Sequence, residues 1–237
     1  MRVKLQDGEL AAVPQAIAIL EPVRRSAPSS LEIGMPADNF DPDQALNARL
    51  DALCAEGWAL FEEFDLRVRD REFHPFVAAD YEAVRAALVR YRAPGQRFLE
   101  FGSATGVITI MADMLGFDAA GIEIDSSLVR TAQRLAERFG SRARFVTGSF
   151  MPTGYRWRSP VANEFSSTTG EGASGYLQLG AALDDFDVVF GYPWGGEAPM
   201  MLDLMRQFGR KDALLLLNDT TTGVHCYRNG KEVVTQP

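Results

Sequence analysis

"FLEFGSATG", residues 98–106, decides how the rest of the chain is read. An apolar run ends in an acid, Glu100, and is followed closely by Gly102, Ala104 and Gly106. Such a stretch packs a core poorly. It suits the turn from a buried strand into a helix, which is where open α/β sheets bind nucleotides. Glycine lacks a Cβ, so the backbone can turn tightly and a ligand can approach its amides. A dinucleotide fold requires G-x-G-x-x-G, with the pyrophosphate held on the helix N-terminus. The pattern here is E-x-G-x-A-x-G, which does not fit. An acid beside the turn would also repel a pyrophosphate, whereas it suits a cation.

Outward from this turn, strand and helix patterns alternate. "QRFLEF" (96–101) predicts a strand, and 105–115 a helix closed by Gly116. "DAAGIEI" (118–124) is a strand, and 126–139 a helix with Ser126 as N-cap and Gly140 as C-cap. Further strands follow at "ARFVTGSF" (143–150), "DDFDVVFGY" (184–192) and "DALLLLND" (212–219), with a helix over 196–208. Asn229-Gly230 between two β-type runs predicts a terminal hairpin. Upstream, apolar residues at helical spacing predict helices over 43–64, with Gly57 as a weak point, and over 78–92. The expected fold class is α/β: a doubly wound, mostly parallel sheet with helices on both faces, a C-terminal antiparallel hairpin and preceding N-terminal helices. Residues 151–183 are rich in Gly, Ser and Thr and read as an inserted loop.

The motifs then resemble those of the class I S-adenosylmethionine-dependent methyltransferases, whose first motif is [DE]-x-G-x-G-x-G after strand one. Glu100, Gly102 and Gly106 match it, and Ala104 stands for the middle glycine. The resemblance implies that S-adenosyl-L-methionine is the cofactor and that Glu100, Phe101, Gly102, Ser103, Ala104 and Gly106 hold it. It also implies an acid after strand two that pairs with the ribose hydroxyls. "GIEID" (121–125) supplies Glu123, flanked by Ile124; Asp125 is the rival, but it reads as the start of the next helix. A carboxylate has two acceptor oxygens, which suits a vicinal diol. The family's third acid, which binds adenine, is replaced by Ser149 and Phe150, and Phe150 can stack on the ring.

At the end of strand four, "FGYPWGGE" (190–197) stands where amine methylases carry Asn/Asp-Pro-Pro-aromatic. Pro193 and Trp194 match, and Gly191 removes the polar side chain. Tyr192, Trp194 and Glu197 are the expected catalytic residues, with Gly191 at the cofactor's edge; Asp219 and Asn218 serve as well for turn caps. Electron-rich aromatic faces there attract a sulfonium or ammonium. "FHPFVAADYE" (73–82) resembles the family's segment that covers the bound cofactor, implying contacts from Phe76, Val77 and Tyr81. Asp80 is either a contact or an N-cap, and His74 a turn residue. The expected organisation is a helical extension or lid over 1–92 and a Rossmann-like cofactor-binding domain over 93–237.

Composition bounds the partners. The chain has 237 residues and a net charge of −8, which makes nucleic acid a poor partner. Two cysteines and two histidines show no metal-ligand spacing, so no metal is expected. No apolar run reaches the length of a membrane span, and no leader is expected, so a cytoplasmic monomer or homodimer is. The function implied is methyl transfer to a small-molecule or protein side-chain acceptor. The alternatives are a regulatory or interaction module that binds the same cofactor without methyl transfer, a nucleic-acid methylase, and a nicotinamide oxidoreductase.

Overall fold

The structure, a computed structural model, describes residues 41–69, 76–157, 172–193 and 197–233, all within one compact unit, Phe40–Pro237. The chain forms α1 (Pro42–Phe64), a π-helical turn (Asp65–Arg69), α2 (Tyr81–Tyr91), β1 (Arg97–Phe101), α3 (Val107–Met114), β2 (Asp118–Glu123) and α4 (Ser126–Phe139). It continues through β3 (Arg144–Thr147), α5 (Tyr176–Leu179), a 3₁₀ turn (Leu183–Asp185), β4 (Val188–Gly191), α6 (Glu197–Phe208), β5 (Leu214–Asp219), β6 (Gly223–Arg228) and β7 (Lys231–Glu232).

The sheet order is β3-β2-β1-β4-β5-β6-β7, with β1 to β5 parallel and β6 and β7 antiparallel. The chain winds outward from β1 to β3, then returns to place β4 on the other side of β1. That reversal opens a crevice at the carboxyl ends of β1 and β4, where such sheets bind ligands. Along each strand successive side chains alternate between the faces. Phe98, Val188, Phe190, Leu214 and Leu216 pack with α1 to α4, whereas Leu99, Phe101, Val189, Leu215 and Leu217 pack with α5, α6 and Tyr155. Both faces are therefore covered, as a parallel sheet requires. Helices α1 and α2, upstream of residue 93, contribute Leu50, Leu53, Val84 and Leu88 to the first of these cores.

Three aspartates start helices. Asp41 caps α1, Asp80 accepts from the amides of Glu82 and Ala83 to cap α2, and Asp125 caps α4 through Ser127 and Leu128. The N-cap of α4 is thus Asp125, not the expected Ser126, which is the first helical residue. The carboxylate satisfies free amides and adds a negative charge at the positive end of the helix dipole. Gly140 ends α4 in the left-handed conformation (φ 62°), and Asn229 and Gly230 both take positive φ in the hairpin turn, as expected.

Several strands are shorter than the apolar runs suggested. β3 stops at Thr147 because the chain turns away at Gly148, where a Cβ would lie 2.8 Å from the Ala173 carbonyl and from Gly175. Ser149 instead pairs with Ser174 in an isolated parallel bridge. The described ends of the expected loop are packed structure: the Tyr155 hydroxyl lies 3.2 Å from both the Met200 carbonyl and an Asp203 carboxylate oxygen. Residues 158–171, the middle of that loop, lie outside the described residues.

Gly57, a weak helix former inside α1, has a packing reason. A Cβ there would lie 2.7 Å from Val107 and 3.0 Å from the Tyr81 ring. α1 needs this position bare to sit against α3 and α2. Gly57→Ala gains about 1 kcal/mol of helix propensity but overpacks a buried contact costing about 1–3 kcal/mol. The expected outcome in denaturant titration is a net loss of up to about 2 kcal/mol with an unchanged m-value.

Candidate functional site

The turn after β1 takes positive φ at Gly102 (71°), Ala104 (43°) and Gly106 (81°). The amides of Gly102 and Ser103 donate to the Ile122 carbonyl, tying the turn to β2. Gly106 is the N-cap of α3 and offers no side-chain cap; a Cβ there would lie 2.7 Å from both Ala132 and Phe145 of the neighbouring elements. Its place in the motif is thus set by helix packing. Ala104 is the one non-glycine of the turn with positive φ. A left-handed alanine costs about 1–2 kcal/mol. Its methyl packs against a cluster of Phe64, Phe76 and Leu128, returning about 0.8 kcal/mol. The packing offsets only part of the backbone cost, so alanine stands where glycine is the rule at a small net penalty.

Two buried carboxylates straddle this turn. Glu100 accepts from the amide of Thr109 (3.0 Å) and from the Thr109 hydroxyl. Thr109 lies in the first turn of α3, so Glu100 supplies the cap that Gly106 lacks. Burial pushes its carboxyl up to about 8; the Thr109 bonds oppose the rise, and the Glu123 charge adds to it. Glu123, at the end of β2, accepts from the amides of Ala104 and Asp125, each at 2.9 Å. Burial raises its pKa too, against the amides of Asp125, Ala104 and Ile124. A carboxylate has about four acceptor sites, so these bonds leave Glu123 further capacity. Above Glu100 lies Tyr81, whose hydroxyl is held neutral by burial first and by the Glu100 charge second.

These groups line a cavity of about 390 Å³ at the carboxyl ends of β1, β2 and β4. Of the sequence-predicted residues, Val77, Tyr81, Glu100, Phe101, Gly102, Ser103, Ala104, Glu123, Ile124, Ser149, Phe150, Tyr192 and Glu197 all face it. Gly106 and Gly191 are not among the lining residues; a Cβ on Gly191 would lie 2.7 Å from the sulfur of Met201, which is itself a cavity wall. Trp194 and His74 lie outside the described residues. Ser149 spends its hydroxyl on the amide of Met151, and Phe150 stacks on Phe101 at 4.7 Å between ring centres. Asp219 accepts from Thr221 and Thr222 and holds the β5–β6 turn. Burial raises the Tyr192 hydroxyl, with the Asp219 charge second.

Sequence reasoning missed several walls, among them Thr105, Ile108, Leu128, Phe190 and Met201. Their apolar members belong to ordinary helix and strand stripes, so nothing in the pattern separates a cavity wall from core. The lining among the described residues carries Glu100, Glu123 and Glu197 and no lysine, arginine or histidine. Among the described residues there is also no cluster able to hold a metal ion, and no helix long and apolar enough to cross a membrane.

No family model matches the chain. It is 41% identical over 63 residues to the ribosomal protein L11 methyltransferase of Thermus thermophilus, a stretch covering 27% of this chain and 25% of that protein. The chain thus matches only about a quarter of that relative's length. Similar solved structures include precorrin-6y C5,15-methyltransferase from Geobacter metallireducens, at TM-score 0.43 and 17% identity over 64% of this chain and 69% of that one. Another is an RNA methyltransferase from Salinibacter ruber bound to S-adenosyl-L-homocysteine, at TM-score 0.43 and 16% identity over 60% and 76%. The sheet is doubly wound and mostly parallel, with an antiparallel hairpin at its C-terminal edge. In this fold the cavity occupies the sheet's topological switch point, with the acid-flanked glycine turn as its floor.

The buried Glu100 has a pH signature. Folded protein keeps its proton up to about pH 8, whereas the unfolded chain releases it near the ordinary 4.5. The native state therefore binds the extra proton across that window, and Glu100 makes stability fall as pH rises through it. Unfolding free energies of wild type and Glu100→Gln, measured from about pH 5 to about pH 8, should converge at the acid end. The variant, which keeps an acceptor for Thr109, should be the more stable at the alkaline end. Parallel profiles would mean that Glu100 ionises in the folded state as readily as in the unfolded one.

Proposed function

We propose that the chain is an S-adenosylmethionine-dependent methyltransferase acting on a small-molecule or protein side-chain acceptor. The observation that carries this reading is the pair of buried carboxylates, Glu100 and Glu123, on either side of a glycine turn in a cavity whose described lining holds no cationic side chain. A dinucleotide would bring a pyrophosphate against both acids. S-adenosylmethionine brings an ammonium and a sulfonium, together with a ribose diol. The chemistry of the donor set fits: Glu123 has acceptor sites for the diol, and Gly102 leaves the backbone open, with nothing within 4 Å of its Cβ position. The buried Ser103 hydroxyl, which has no hydrogen-bond partner, is a further polar group at the turn.

In this reading Glu100 faces the ammonium of the methionine tail, Glu123 holds the ribose, and Ile124, Ser149 and Phe150 border the adenine. Val77 and Tyr81 cover the cofactor from the α2 side. The bound group supplies an activated methyl. The protein's task is to align an acceptor with it and to exclude water, which needs no obligate base. Tyr192, Glu197 and Trp194, at the end of β4 and the start of α6, are the residues proposed to face the acceptor. Protein side chains stay among the acceptors because the relative with the shared stretch acts, by its name, on a ribosomal protein. Nucleic acid is disfavoured by the net charge of −8 and by the acid-lined cavity. Both cysteines, Cys54 and Cys226, are buried and unpaired, which supports a reducing compartment such as the cytoplasm.

Calorimetric titration with S-adenosylmethionine, S-adenosylhomocysteine and NAD decides the cofactor, and release of S-adenosylhomocysteine over an acceptor panel decides transfer. Binding of S-adenosylmethionine is expected, with Glu123→Ala weakening it by about 1–3 kcal/mol through lost charge-assisted bonds. Tight binding of NAD alone would overturn the reading. Affinity should also rise with pH up to about 8, because a cationic tail favours the ionised form of Glu100.

A further inference from the structure

Helix α4 turns Leu128, Val129, Ala132, Leu135 and Ala136 into the core and leaves its opposite face in water. On that face stand Arg130, Arg134 and Arg138, each four residues from the next and all three exposed. From Ser126 to Arg144 the chain carries five arginines, Arg142 and Arg144 lying beyond the helix, against one acid, Glu137. The rest of the chain is therefore more acidic than the net −8. An exposed helix face gains from opposite charges four residues apart, whereas like charges at that spacing cost stability. Folding does not account for this row.

Most of the row's bonding capacity is unspent. Arg138 pairs with Glu56 of α1, and Arg144 with Asp118 of β2. Arg130 and Arg134 each make one bond within α4, to the hydroxyls of Ser126 and Thr131. Neither they nor Arg142 pair with a carboxylate among the described residues. A guanidinium has five N–H donors, so Arg130 and Arg134 keep most of theirs. The row also starts close to the candidate site, because Ile124 and Leu128, just before Arg130, line the cavity.

We propose that this face of α4 docks an extended acidic segment of a protein partner, with an acid at every second residue. Four residues of helix rise about 6 Å. Two residues of extended chain advance about 7 Å, so carboxylates on one side of the segment keep step with Arg130, Arg134 and Arg138. Each guanidinium offers a carboxylate a bidentate pair. The segment lies along α4 rather than adding to the edge strand β3, whose Phe145 and Thr147 carbonyls already accept from Gln133 and Gln178. A nucleic-acid strand would run past the row onto the acidic remainder of the chain, whereas a short segment stays on it. The docking requires no activity; that it brings a side chain of the partner to the cavity rests on the methyltransferase reading.

The test is fluorescence anisotropy on the full chain at about 50 mM salt, where surface charges are weakly screened. The probes are end-blocked, labelled peptides: Ser-Glu-Ser-Glu-Ser-Glu-Ser-Glu, the block isomer Glu-Glu-Glu-Glu-Ser-Ser-Ser-Ser, and the first with glutamine for every glutamate. Pentathymidylate matches the acidic peptides in charge. The alternating peptide is expected to bind at least about threefold tighter than the block isomer and at least about tenfold tighter than the glutamine peptide, with pentathymidylate weaker than the alternating peptide. Arg130→Glu with Arg134→Glu should weaken it at least about tenfold. Arg90→Glu with Arg228→Glu makes the same charge change at exposed arginines elsewhere and should stay within about threefold of wild type. No binding of the alternating peptide, equal binding of the block or glutamine peptide, tighter binding of pentathymidylate, or an equal loss in the two double variants each overturns the proposal. The wild-type order decides by itself if a variant does not fold. Failure of S-adenosylhomocysteine to bind wild type overturns the methyltransferase reading, and the peptide order still decides the docking.

Discussion

The bond from the Thr109 amide to the Glu100 carboxylate joins the end of the central strand to the first turn of α3. A glycine N-cap cannot satisfy the free amides of that helix, and the packing of α4 and β3 against Gly106 allows nothing larger there. The cap therefore comes from a residue on β1, through a carboxylate buried in the sheet. That single arrangement fixes where α3 begins and how sharply the turn bends. It also leaves an acid at the floor of the cavity.

The same constraint explains the roof. With the turn held low by Glu100 and Glu123, the space above it is closed by aromatic groups from the helices that precede the sheet. Phe64 and Phe76 cluster with Leu128 over Ala104, and Tyr81 sits above Glu100 against the bare Gly57 of α1. Enclosure lowers the local dielectric, which makes each buried charge matter more and explains the raised Glu100 carboxyl. A cavity lined by acids and by no described cationic side chain is unfavourable for anions.

Much of this was legible in the chain. The alternation of strand and helix, the hairpin at Asn229-Gly230, the acid before the glycine turn and the second acid at Glu123 are all local patterns, and the structure has each where the pattern put it. Boundaries were less legible. Ser126 and Asp125 are both good caps by type, and only the backbone at residue 125 decides between them. "ARFVTGSF" has the alternation of a long strand, but Gly148 must clear the Ala173 carbonyl, a segment distant in sequence. The polar groups of the site were the most deceptive. Ser149 has the right chemistry to bind a ligand, yet its hydroxyl accepts from Met151.

By itself the sequence determined the fold class, the place of the glycine turn and the sign of the charge beside it. Periodicity, turn chemistry and residue type are local properties and survive without knowledge of neighbours. Tertiary structure alone decided which way Gly191 faces, why Gly57 and Gly106 must be bare, and that Glu197 shares a cavity with Glu100 and Glu123. Each of these depends on the distance between residues far apart in the chain, and such distances arise only when α1, α6 and the sheet pack together.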